Sequence, residues 1–144
     1  MPAHPPAPRP PRITSADLDA ILRFLPVFEA AGFVFGEEVA APGRWGWSRM
    51  APEVEAFVQA LHAHGWVRPF PWHDFQDEAM RYLEDPSRLD GIDVETARKL
   101  LTLHVRKERF CDGHLIEMFR AGHVQAILRR LRAIREAPRR GRPR

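Results

Sequence analysis

The chain has 144 residues, 44% hydrophobic and 28% charged, the proportions of an ordinary globular protein with one buried core. No apolar run reaches the length of a membrane span, the start lacks a signal-peptide core, and the single cysteine, Cys111, excludes an internal disulfide. These features predict a cytoplasmic protein without a membrane partner. The net charge of +3 belongs to the ends: Arg9 and Arg12 at the start and Arg139, Arg140, Arg142 and Arg144 at the finish have no acid beside them. Without these six, 16 of the 22 basic residues face 19 acidic ones, so the body is acidic. Arg129, Arg130, Arg132 and Arg135 are the exception, running along the last predicted helix into the tail.

Residues 1–12 are Pro-rich and expected to be disordered. Ser15 is the expected cap of a first helix with an apolar stripe of Leu18, Ile21, Leu22, Leu25 and Phe28; Pro26 breaks it and Gly32 closes it. Phe33-Val34-Phe35 and Trp45-Gly46-Trp47 flank a Gly/Pro loop and suggest a short hairpin. Pro52 opens a second helix that buries Val54, Phe57, Val58 and Leu61 and ends at Gly65. The prolines of Trp66-Val67-Arg68-Pro69-Phe70-Pro71-Trp72 demand an extended link. Asp74 is the expected start of a third helix, stopped at Asp85-Pro86, and Asp93 the cap of a fourth that turns Ala97, Leu100, Leu101, His104 and Val105 inward. Asp112 is read as the cap of a short fifth, ending at Gly122. A sixth runs from His123 to Glu136, with Val124, Ile127, Leu128, Leu131 and Ile134 on one face and Pro138 beyond it.

Several stretches resemble a known family when taken in order. They are Phe24 to Glu29, Gly65 to Trp72, Arg98 to Lys107, Arg109-Phe110-Cys111-Asp112-Gly113-His114-Leu115, Met118-Phe119 and Gly122-His123. Together they resemble a bacterial family of domains of unknown function, family 6508, over roughly residues 17–131. The resemblance implies a compact domain, brings no activity with it, and marks Arg109 to His114 as the most distinctive segment.

Among chemical constellations, Cys111 with His114 is the sharpest. A thiol just before a helix start gains from the backbone N–H groups and the dipole there, and a histidine three residues on supplies a base. Cys111, His114 and His104 are therefore the catalytic candidates; Cys111, His114 and His123 are the weak metal candidates, with too few ligands for a zinc site. The preferred reading is plainer: a small buried thiol and core histidines each satisfied by a hydrogen bond. The aromatics Trp66, Phe70 and Trp72 form either a ligand-stacking cage or, preferably, a lid sealing helices together. Arg106 and Arg109 either grip an anion or remain solvated. Arg139-Arg140-Gly141-Arg142-Pro143-Arg144 resembles a minor-groove hook, with a solubilising tail as the alternative.

The sequence thus predicts an all-α domain of about six helices over residues 13–136, with room for one short β-hairpin, between disordered tails at 1–12 and 137–144. The expected role is a non-enzymatic accessory or interaction domain, without a cofactor, whose tail arginines contact nucleic acid weakly. The alternative is a small enzyme or metal-binding protein centred on the Cys/His segment.

Overall fold

The structure, a computed structural model, describes residues 11–40 and 46–138. The tail arginines Arg139, Arg140, Arg142 and Arg144 and the Pro-rich residues 1–10 lie outside the described residues, as does Trp45. Among the described residues the architecture is all-α with one two-stranded hairpin and seven α-helices, because the first expected helix is two.

Helix α1 (Ser15–Leu22) is capped by Thr14, one residue before the expected Ser15. The spacing of Thr14 and Asp17 decides this, since Thr14 Oγ1 accepts from the Asp17 N–H and the Asp17 carboxylate accepts from the Thr14 N–H. Helix α2 (Leu25–Glu29) restarts at once with Pro26 in its first turn, where a missing N–H costs nothing. The hairpin lies three residues later than expected on its first side, with β1 (Gly36–Val39) antiparallel to β2 (Trp47–Met50) and Gly36 opposite Met50. Phe33 and Phe35 are drawn to the core instead; Phe35 stacks on Phe119 at 5.1 Å and both rings pack against Phe28. Burial of two aromatic rings outweighs pairing in a short exposed ribbon. At Gly36 the strand lies flush on a later helix: a Cβ there would collide with Ile116 and with the Arg49 carbonyl oxygen 2.6 Å away.

Helix α3 (Pro52–Ala63) buries Val54, Phe57 and Leu61. The link that follows drops Trp66 fully into the core, where its Nε1–H donates to the Asp17 carbonyl at 3.1 Å. Helix α4 (Trp72–Glu84) begins two residues before the expected Asp74, because Pro71 already supplies the cap position. A 3₁₀ turn, η1 (Pro86–Gly91), buries Leu89 and leads to α5 (Val94–Glu108), capped as expected by Asp93 accepting from the Thr96 N–H at 2.8 Å. Helix α6 (His114–Arg120) is short, and α7 (His123–Glu136) has the expected bounds. Gly122 between them adopts a left-handed φ of +77°, which is what ends one helix and redirects the next.

Helix α7 is the hub, packing against α1, α2, α5, α6 and η1. Its Val124, Ile127, Leu128 and Leu131 are buried. Its arginines pair with surface carboxylates of α1 and α2: Arg129 and Arg132 reach Glu29 at 3.1 and 3.8 Å, and Arg135 reaches Asp19 at 3.1 Å. Arg130 donates to the Ile92 carbonyl at 2.8 Å. Among the described residues no helix is long and apolar enough to cross a membrane.

Candidate functional site

Three helices converge on a chain of imidazoles. His104, on the buried face of α5, places Nδ1 3.0 Å from His114 Nε2 at the start of α6. Its Nε2 lies 3.0 Å from His123 Nε2 at the start of α7. Both nitrogens of the fully buried central ring are thus satisfied by other rings. Each link takes one proton between two nitrogens. The neutral trio holds three protons, so two fill the links and the third sits on one outer Nδ1. One extra proton fits on the opposite outer Nδ1; a second sets N–H against N–H and breaks a link. Burial, then the neighbouring histidines and Lys107, hold His104 well below the usual 6.5. His114 is lowered to about 4 by burial and Lys107, and His123 to about 4 by burial and His114. At neutral pH the trio is uncharged.

This arrangement brings together three of the sequence candidates and leaves out the fourth. Cys111 is exposed, which corrects the expectation of a buried thiol. Its backbone N–H donates to the Lys107 carbonyl at 2.9 Å in the turn that closes α5, and among the described residues its sulfur has no hydrogen-bond partner. Asp112 does not cap α6 either; its carboxylate accepts from the Ser48 N–H of the hairpin at 2.7 Å. The free amides of α6 are taken by Glu108, which accepts from Gly113 N and Leu115 N at 2.9 and 2.8 Å. A carboxylate already neutralises the helix start that was to favour a thiolate, and His114 is engaged with His104 rather than with Cys111. As for metal, His104 offers its two nitrogens in opposite directions, whereas a metal needs its donors to converge on one point. Among the described residues no group of three or more His, Cys, Asp or Glu side chains is placed to hold one.

A different place gathers chemistry that the sequence shows only in fragments. The link before α4 and the end of α5 enclose an open cleft of about 340 Å³, lined by Arg68, Pro69, Phe70, Trp72, His73, Arg106, Arg109 and Phe110. Arg106, Arg109 and Phe110 come together because α5 closes in a tight turn, the Arg109 N–H donating to the Arg106 carbonyl and the Phe110 N–H to the Lys107 carbonyl. Arg68 is fixed from below, its guanidinium donating to the carbonyls of Gly65 and Pro11. Among the described residues none of the three arginines forms an ion pair, and no carboxylate lines the cleft. Arg98 lies beneath, 6.0 Å from the Phe70 ring centroid, buried and paired with Glu95, with Nη1 lacking a partner. Helix α4 starts here without a side-chain cap, and Asp74 in its first turn offsets its positive end. Trp72 stacks on His73 at 3.8 Å and lies 6.0 Å from Phe110, whose ring is 74% exposed. Arg68 and His73 were missed in the sequence; Trp66, grouped there with Phe70 and Trp72 as either cage or, preferably, lid, is buried in the core.

The model of a family of unknown function, DUF6508, matches residues 13–137. The chain belongs to this family. No curated protein and no solved structure matches the sequence. The DUF6508 match spans both the imidazole chain and the cleft, so both lie within the family's domain rather than in the tails.

Proposed function

We propose that this DUF6508 domain is a non-enzymatic binding domain of the cytoplasm, and that its ligand is an anion held in the cleft between the 68–73 link and the end of α5. The observation that carries this reading is the set of three arginines, Arg68, Arg106 and Arg109, in the lining of one opening that no carboxylate lines. Like charges gathered at one opening repel, and an oxyanion placed among them relieves that repulsion while accepting forked hydrogen bonds from Arg106 and Arg109. Against an enzyme stand the imidazoles, which satisfy one another, and an exposed thiol whose expected base, His114, is engaged with His104. The exposed free Cys111 also suits a reducing compartment.

The tail arginines 139, 140, 142 and 144 add a general attraction to nucleic acid in this reading. Helix α7 adds little to it, because Arg129, Arg132 and Arg135 already face carboxylates. The test is titration with tripolyphosphate, followed by thermal shift and calorimetry at two salt concentrations. The Arg106→Ala/Arg109→Ala double variant should bind at least about tenfold more weakly. A chain shortened by residues 137–144 should keep most of the binding. Unchanged affinity in the double variant would refute the cleft as the anion site.

A further inference from the structure

An anion alone leaves part of the cleft unexplained. Phe110 is 74% exposed, the most exposed of the large hydrophobic residues among the described ones, and it stands within the cationic lining. An inorganic anion held by Arg106 and Arg109 would leave that ring in water. A ligand carrying a flat aromatic group next to its charge would cover it. We propose that the cleft binds a nucleoside phosphate unit, with the phosphate among Arg68, Arg106 and Arg109 and the base stacked on Phe110. This rests on the reading of the cleft as an anion site.

The ring geometry specifies where the base lies. Trp72 has one neighbour stacked at 3.8 Å, His73, and Phe110 at 6.0 Å and 31°. A ring inserted between two others needs about 7 Å, since each face takes about 3.5 Å. The Trp72–Phe110 gap is too narrow and too wedged for that, so the base lies on the outer face of Phe110. Trp72 and His73 then act as the backing that holds Phe110 upright. Base stacking of this kind tolerates any base and is found with a charged groove that follows the backbone. A volume of about 340 Å³ is at the small end of ligand sites, as expected when the cleft holds the phosphate and sugar and the base lies over its rim. The same chemistry is met in a free nucleotide and in one residue of a single strand.

The experiment uses the full chain and three probes: thymidine monophosphate, a single-stranded hexathymidylate, and an abasic hexamer of equal charge. Fluorescence anisotropy of the labelled strands gives affinities, with the monophosphate as competitor. The hexathymidylate should bind roughly 5- to 100-fold more tightly than the abasic strand, the range for one stacked base. Phe110→Ala should abolish that difference and leave abasic binding unchanged; the ring is exposed, so an unaltered melting temperature confirms the fold. Arg106→Ala/Arg109→Ala should weaken both strands together. Equal affinity for the two strands overturns the stacked base yet leaves the anion site standing. A base preference that persists while the arginine variant binds normally overturns the anion site instead. Competition by the monophosphate assigns a free nucleotide as the source of the unit, and strand binding without it assigns a single strand; no binding by either overturns the proposal.

Discussion

Moving the protein from pH 7 to pH 5 should cost about 3 kcal/mol of stability, and the imidazole chain is where the loss originates. In the unfolded chain each histidine titrates near 6.5, whereas His114 and His123 are lowered to about 4 in the fold and His104 lies well below its usual value. A lowered folded pKa means that the unfolded state takes up protons first. The stabilisation is therefore complete above about pH 6.5 and is lost as pH falls toward 4. For His123, buried at 4% exposure, the loss between pH 7 and 5 is about 2 kcal/mol. Partly buried His114 is screened by solvent and contributes about 1 kcal/mol, and His104 acts in the same direction. Lys107 is the charged neighbour that opposes protonation. The carboxylates held low by their hydrogen bonds, Asp17, Asp93 and Glu95, lose their contribution only below their ordinary values of 3.8 and 4.5, so the two windows separate. The assay is denaturant unfolding followed by tryptophan fluorescence at pH 7 and pH 5 at constant ionic strength. A stability change below about 1 kcal/mol, or imidazole resonances of these three rings titrating near 6.5, would refute the buried neutral chain.

Two further outcomes follow from the turns that hold the chain in place. Gly122→Ala should cost about 1 kcal/mol, read as a lower melting temperature; nothing lies within 4 Å of the added methyl, so the whole cost is the left-handed backbone. Cys111 should react with a thiol reagent in the native protein as fast as it does in denaturant, and Cys111→Ser should leave stability unchanged within about 0.5 kcal/mol.

The helices were legible wherever the signal was local. His123 to Glu136 shows an unbroken apolar stripe between Gly122 and Pro138, Pro26 announces a break, and Asp93 stands three residues before the Thr96 amide it caps. Local reading failed where a distant group competed. Asp112 looks like a cap in sequence, but Ser48, 64 positions away, claims its carboxylate, and Glu108 reaches forward to take the amides instead. The strand of Phe33 to Phe35 lost to the pull of Phe28 and Phe119 on its rings. His104, His114 and His123 were each visible as candidates, but their alignment depends on three helix axes meeting and has no sequence period. The cleft is similar: its two halves, residues 68–73 and 106–110, stand far apart in the chain, and only the packing of α4 beside α5 joins them.

The flush seating of β1 on α6 reaches beyond the hairpin. At Gly36 the backbone has no left-handed φ, so the restriction is one of occupancy: Ile116 and the Arg49 carbonyl already fill the space. At Gly122 the space is empty and handedness is the obstacle. A mirror-image alanine would therefore be accommodated at 122, where its preferred φ is the one the chain adopts. No ordinary residue is accommodated at 36 even if Ile116 shrinks, because the Arg49 carbonyl oxygen stays 2.6 Å from the added Cβ. Position 36 is therefore held at glycine by the partner strand, whereas 122 can drift to the few residues that tolerate a left-handed turn.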